Sequence, residues 1–133
     1  MLNSPITYNV SQNVLENEYC DFLITYAIEN GNKTEGKLGS STNNDLTLDK
    51  NIRDTELYFF SHQDTYEKLM PFLSSINLES NWNFDLQQIE PLQFSVYKEH
   101  GHYDWHIDSH PFPYSNSGPF SGLVRKISFS VIF

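Results

Sequence analysis

The sequence predicts an α+β domain, because its first half follows a helical period and its last third alternates apolar and polar residues. In residues 13–30, apolar side chains recur at three- and four-residue spacing, as in an amphipathic helix. Asn13 and Glu16 have the spacing of a capping box, and Gly31 would provide a left-handed C-terminal stop. The side chains with this period are Val14, Leu15, Phe22, Leu23, Tyr26 and Ala27.

Polar and apolar segments alternate through the middle of the chain. Residues 32–51 are rich in Asn, Thr, Ser, Gly and Lys, which favours a long polar loop with a short strand at 46–48. Residues 56–60 form a predicted strand. A second helix is predicted after this strand, with Asp64 in a capping position, and we expect Pro71 to kink or split it.

Three alternating segments in the last third predict strands. Residues 92–97 place Leu, Phe and Val on one face and Gln, Ser and Tyr on the other. Residues 103–108 and 126–133 repeat this two-residue period. The loop at 109–122 holds three prolines and two glycines. Because the chain ends within the third of these strands, we expect residues 1–133 to form a single domain whose sheet is incomplete.

Size, charge and cysteine content narrow the class of protein. The 133 residues suffice for one domain with a core, and the formal net charge of -9 disfavours nucleic acid or anionic lipid as a partner. The single cysteine, Cys20, excludes an intrachain disulfide and fits a cytoplasmic protein. Its place in the first predicted helix favours burial over a catalytic role. No apolar run approaches the roughly 18 residues of a membrane span, and no signal peptide is evident.

His106 and Asp108 are the candidate metal ligands. At two-residue spacing on a strand, their side chains would leave the same face. An imidazole and a carboxylate with open coordination positions suit Fe(II) bound by two histidines and one carboxylate. By itself, His-x-Asp is common at solvated surfaces, so the pattern gains weight only from its neighbours Tyr103 and Trp105.

The run from Leu92 to Asp108, with the later Arg125-Lys126-Ile127-Ser128, resembles the 2-oxoglutarate- and Fe(II)-dependent dioxygenases of the prolyl 4-hydroxylase-like type. The predicted helix, with Glu18-Tyr19-Cys20-Asp21-Phe22, is similar to the opening helix of that family. The resemblance implies a double-stranded β-helix of the jelly-roll or cupin-like type, with N-terminal helices packed on one side. It implies oxidative decarboxylation of 2-oxoglutarate to succinate, coupled to hydroxylation of a protein side chain, preferably prolyl, or of a small molecule.

The resemblance also assigns roles to single residues. His106 and Asp108 would bind Fe(II). Tyr97 would contact the co-substrate 2-oxoglutarate through its hydroxyl, although an ordinary half-buried tyrosine is an equal alternative. Tyr103 and Trp105 would line the substrate site, with core packing as the more common role for such side chains. Ascorbate is an optional reductant in this chemistry.

The sequence contains two of the three metal ligands of the family pattern, and it ends at Phe133 before the third. The family has a distal His as third ligand and then an Arg or Lys that pairs with the far carboxylate of 2-oxoglutarate, and neither occurs here. We therefore expect the N-terminal part of a catalytic domain, whose activity as an isolated chain is undecided. His110 is the best local substitute for the third ligand, and Lys126 for the anchor. His62, His100 and His102 are expected to be structural or exposed.

Two other classes of function remain open from the sequence. The same scaffold could serve as a non-catalytic binding or assembly module with an incomplete metal site. A cupin-like isomerase or hydrolase with Zn or Mn is a further alternative, although cupins place more histidine ligands close together. The sequence does not indicate the identity of the substrate or the oligomeric state.

Overall fold

The computed structural model describes residues 8–35, 38–39, 46–47, 53–108, 112–115 and 118–133. These residues contain helices and short antiparallel strands, which confirms the α+β class. None of the sheets they form is closed into a barrel. The chain divides into two compact units. The sheet unit comprises Leu15–Ser61 and Pro91–His106, and the α2 unit comprises Met1–Val14, His62–Glu90 and Ile107–Phe133.

The described residues contain two helices and seven short strands. The helices are α1 (Asn17–Asn30) and α2 (Gln63–Glu79). The strands are β1 (Asn32–Glu35), β2 (Leu38–Gly39), β3 (Leu46–Thr47), β4 (Arg53–Asp54), β5 (Glu56–Phe60), β6 (Leu92–Val96) and β7 (His102–Tyr103). Across the described part of the chain, no helix is long and apolar enough to cross a membrane.

The core of the sheet unit lies between α1 and an antiparallel sheet of order β1-β5-β6. The central strand β5 buries Leu57 and Tyr58, and α1 buries Leu23 and Ala27 against it. Tyr58 is paired with Phe94 of β6, with ring centroids 6.2 Å apart. The predicted strand at 56–60 is confirmed by β5. Its aromatic and aliphatic side chains favour a strand because they pack well on a pleated, half-buried surface.

Both ends of the first helix differ from the predicted ends. α1 begins at Asn17 with Glu16 as N-cap and has no side-chain cap hydrogen bond, so the predicted capping box is wrong. Gly31 has φ −75°, so it is not a left-handed stop. A Cβ on Gly31 would lie 2.4 Å from the Ala27 oxygen and 2.9 Å from the Tyr58 Cβ. This position therefore excludes a side chain because the end of α1 closely approaches β5.

The predicted polar loop contains strand pairing that composition did not indicate. β1 pairs with β5 although its residues, Asn-Lys-Thr-Glu, are all polar. An edge strand forms backbone hydrogen bonds with a neighbour on one side only, so its side chains can be polar and exposed. The ion pair between Lys33 and Glu56, at 2.9 Å, adds a side-chain contact between β1 and β5. The loop prediction is thus wrong for β1, whereas the short strand expected at 46–48 is confirmed by β3.

The α2 unit is built around one helix that continues through a proline. Thr65, Leu69, Leu73 and Asn77 lie four residues apart and form the buried stripe of α2. Pro71 lies on the exposed side of the same unbroken helix, so the predicted split does not occur. A proline removes one backbone hydrogen bond, and the buried stripe on the other face compensates for this loss.

Two of the three late strands predicted from alternation are wrong in whole or in part. β6 confirms the strand at 92–97 to within one residue. The segment at 103–108 is strand only at Tyr103, where β7 pairs with β4, and residues 104–108 are irregular. Residues 123–133 contain no strand, although apolar and polar side chains alternate along them. Alternation predicts a strand only where another segment supplies the backbone partners.

Candidate functional site

His106 lies in the irregular segment after β7, at the end of the sheet unit. Its Nδ1 lies 2.8 Å from the Asp104 backbone oxygen. A carbonyl oxygen can only accept, so Nδ1 carries the proton and Nε2 is the unprotonated nitrogen of the neutral ring. A metal-bound histidine usually donates its other ring N–H to a carboxylate, a backbone carbonyl or water. The hydrogen bond of His106 has this form.

The His106 ring is also held from one face. It stacks on the Tyr103 ring, with centroids 3.7 Å apart and planes 15° apart. Tyr103 belongs to β7 and is half-buried, whereas the His106 side chain is exposed. The hydrogen bond and the stack together fix the orientation of the imidazole. Strand alternation places Tyr103 and His106 on opposite faces, so the stack was not predicted and results from the irregular backbone after β7.

A buried arginine lies on the other side of Tyr103. Arg53 of β4 is opposite Tyr103 in the β4–β7 pair, and its guanidinium carbon lies 4.1 Å from the ring centroid. The residue is only 6% exposed, and its Nε and Nη2 have no hydrogen-bond partner. The sequence does not indicate a role for Arg53, because only the pairing of β4 with β7 brings it to Tyr103.

Asp108 lies in the α2 unit, where two side chains from the terminal segment hold it. The Ser128 hydroxyl donates to its Oδ2 at 2.5 Å. Arg125 Nη1 donates to its backbone oxygen at 2.7 Å. The side chain of Asp108 is exposed. Since residues 104–108 are not a strand, the expected common face of His106 and Asp108 does not follow from strand geometry.

A half-buried ion pair with Glu90 holds Arg125 in place. Its Nε and Nη2 donate to the two oxygens of Glu90, at 3.0 Å and 2.5 Å. The Tyr114 hydroxyl donates to the same carboxylate at 2.8 Å. This two-pronged geometry is the strongest form of an arginine–carboxylate pair. Sequence analysis missed Glu90 and Tyr114, because 35 residues separate Glu90 from Arg125.

The pair changes the protonation of its members. Burial acts to raise the pKa of Glu90, but the hydrogen bonds from Arg125 and Tyr114 outweigh it and lower that pKa overall. The hydrogen bond to Glu90 raises the pKa of Arg125. Burial, followed by the hydrogen bond to Glu90, raises the pKa of Tyr114. The cluster is therefore charged as one cation and one anion at neutral pH.

The remaining aromatic candidates are open to solvent. Tyr97, the expected co-substrate contact, directly follows β6 and is 49% exposed. Trp105 is fully exposed, so the expectation of core packing is wrong for it. A fully exposed indole in the same irregular segment as His106 is accessible to a ligand. Lys126 is exposed, with its Nζ 5.8 Å from the centroid of the Phe84 ring.

The other histidines have local roles or lie outside the described residues. His100 is exposed with φ 69°, which fits the expected turn. His102 begins β7 and is exposed, as expected. His62 is the N-cap residue of α2, with Nδ1 2.9 Å from the Thr65 hydroxyl, which is a structural role. His110, the local candidate for a third ligand, lies outside the described residues.

Two candidate ligands are of chemical types that Fe(II) binds. His106 and Asp108 supply the imidazole and carboxylate that Fe(II) accepts, and each is held by a hydrogen bond behind it. The described residues contain no group of three or more His, Cys, Asp or Glu that could hold a metal ion.

Comparison of the chain with family models, with curated proteins and with solved structures gave no match.

Proposed function

We propose that the chain belongs to the catalytic domain of a 2-oxoglutarate- and Fe(II)-dependent dioxygenase. The proposed reaction is hydroxylation of a protein side chain, preferably prolyl, or of a small molecule. The observation that supports it best is the hydrogen bond from His106 Nδ1 to the Asp104 backbone oxygen. With the proton on Nδ1, Nε2 is the nitrogen that would coordinate a metal ion. The proposed fold is a double-stranded β-helix to which the described sheets contribute.

The residues have separate tasks in this proposal. His106 and Asp108 bind the metal, and Tyr97 donates its hydroxyl to a carboxylate of 2-oxoglutarate. Tyr103 keeps the His106 ring in place by stacking, and Trp105 lies beside the substrate. Bound Fe(II) and 2-oxoglutarate would supply dioxygen activation, with ascorbate as an optional reductant. A third ligand must come from His110 or from another polypeptide segment.

The proposal is tested by mixing the purified chain with Fe(II) and 2-oxoglutarate without oxygen. A bidentate oxoacid on Fe(II) gives a visible charge-transfer band. We expect this band with the wild-type chain and its loss in His106→Ala and Asp108→Ala. His100→Ala is the matched control, because His100 is an exposed histidine of the neighbouring turn. A folded wild-type chain without a band would contradict the proposal for residues 1–133, because these residues would then not hold Fe(II) and 2-oxoglutarate by themselves.

A non-catalytic binding or assembly module is the second candidate. It is favoured by the absence of a three-ligand group among the described residues. This candidate predicts a folded chain that shows neither the charge-transfer band nor succinate formation. It is contradicted if succinate is formed from 2-oxoglutarate in a reaction that requires both His106 and Asp108.

A further inference from the structure

We propose that Ser128 and Arg125 are positioning residues that hold Asp108 in the orientation needed for metal binding. This inference rests on the proposed function, because it assumes that Asp108 is a ligand. All four residues of the arrangement, Glu90, Asp108, Arg125 and Ser128, belong to the α2 unit. The sequence motif contains the ligand but gives no indication of what orients it.

Ser128 controls the carboxylate group itself. Its hydroxyl lies 2.5 Å from Asp108 Oδ2, and a carboxylate at neutral pH can only accept, so the hydroxyl is the donor. A donor fixed on one oxygen restricts rotation of the carboxylate about its terminal bond. It also reduces the electron density available on Oδ2, which favours the other oxygen as the metal donor.

Arg125 controls the backbone that carries this carboxylate. Its Nη1 donates to the Asp108 oxygen at 2.7 Å, which fixes the peptide unit just after the ligand. Nε and Nη2 are occupied by Glu90, so the guanidinium plane cannot turn without breaking two charge-assisted bonds. A planar group held at three positions is a rigid support, and a lysine could not reproduce it.

The exposure of these groups makes the proposal testable. Ser128 and Asp108 are both exposed, so their hydrogen bond contributes little to folding in competition with water. Removing the hydroxyl should therefore change the site without unfolding the chain. Arg125 is about one-third exposed and has more contacts, so its substitution carries a greater risk to folding.

The experiment measures Co(II) binding by the full chain, followed by the visible absorption of the bound ion. We expect Ser128→Ala to weaken Co(II) binding by about 10- to 100-fold, the usual effect of losing a hydrogen bond behind a ligand. The intensity and position of the Co(II) bands should also change, because the carboxylate is less constrained. Ser128→Thr keeps the hydroxyl and should restore both affinity and spectrum.

Ser130→Ala is the matched control, because Ser130 is an exposed serine of the same segment. It should bind Co(II) like the wild type. Arg125→Lys should also weaken binding, and circular dichroism would show whether the variant is folded. If folded Ser128→Ala binds Co(II) with wild-type affinity and spectrum, the positioning role is refuted and the proposed function is unaffected. If the folded wild-type chain binds no Co(II), or binds it equally well after His106→Ala, the metal site and this inference are both refuted.

Discussion

At the scale of single residues, the strongest local electrostatic feature is the carboxylate of Glu56. It accepts hydrogen bonds from Lys33, which precedes β5 in the chain, and from Lys98, which follows it. These two partners, Lys98 first and then Lys33, lower the pKa of Glu56 to about 2 from its ordinary value of 4.5. The side chain is partly open to water, so the effect on overall stability is limited by screening.

This shift predicts how acid destabilises the sheet unit. A carboxyl whose folded-state pKa is depressed stabilises the fold above its unfolded pKa and loses that contribution as pH falls through the folded value. The contribution of Glu56 should therefore be complete above about pH 4.5 and disappear towards pH 2. Thermal unfolding followed by circular dichroism across this range should show a smaller acid-induced fall in Tm for Glu56→Gln than for the wild type. Parallel curves for the two proteins would argue against the assignment.

Some of the candidate residues can be predicted from the sequence alone, and others cannot. His106, Asp108, Tyr97, Tyr103 and Trp105 could be selected because they share one short segment. Arg53, Glu90 and Tyr114 could not, since each meets its partner only after distant segments have folded together. Nothing in the sequence around Arg53 indicates a buried guanidinium, and the charge alone predicts the opposite.

At the scale of elements, the helical period was a better guide than the two-residue period. A helix satisfies its own backbone, so apolar spacing is enough to predict α1 and α2. A strand needs a partner, and the polar β1 has one whereas the alternating residues 123–133 form no strand. The polar composition of β1 and the apolar composition of that terminal segment therefore both misled the prediction.

The junction of α1 and β5 gives a test at this scale. Gly31→Ala should lower the free energy of unfolding by about 1–3 kcal/mol, because overpacking at a tight contact has this typical cost. The new Cβ would meet the Ala27 oxygen and the Tyr58 Cβ, neither of which is a flexible side-chain end. Urea unfolding measures the change. Glu29→Ala, at an exposed position of the same helix, is the control and should have little effect. Equal stability of Gly31→Ala and the wild type would show that the junction can relax.

At the scale of the whole molecule, net negative charge and exposed apolar side chains have opposite effects on self-association. The chain carries a formal charge of -9 and has a pI near 4.8. The terminal part of the α2 unit nevertheless exposes large apolar side chains, among them Ile107, Phe112, Ile132 and Phe133. Exposed apolar side chains promote association, while like charge on every copy resists it.

The balance between these effects predicts self-association that depends on charge. Light scattering should show association rising as pH falls towards 4.8 and as salt screens repulsion at neutral pH. Ile132→Glu should reduce it, since Ile132 is 95% exposed among the apolar residues at the end of the α2 unit. Val10→Glu adds the same negative charge at another position that is 78% exposed, and it should reduce association less. An equal effect of both variants would mean that net charge alone controls association.

The full exposure of Trp105 has an optical consequence. The indole is in water and is adjacent in sequence to His106, whereas the second tryptophan, Trp82, is half-buried beside Phe84. Emission from the two indoles should therefore differ in wavelength, with Trp105 contributing the red-shifted part. A paramagnetic ion on the neighbouring imidazole would quench that part selectively. The chain thus contains an intrinsic fluorescent probe of its candidate metal ligand, and Trp82→Phe would leave Trp105 as the sole tryptophan in it.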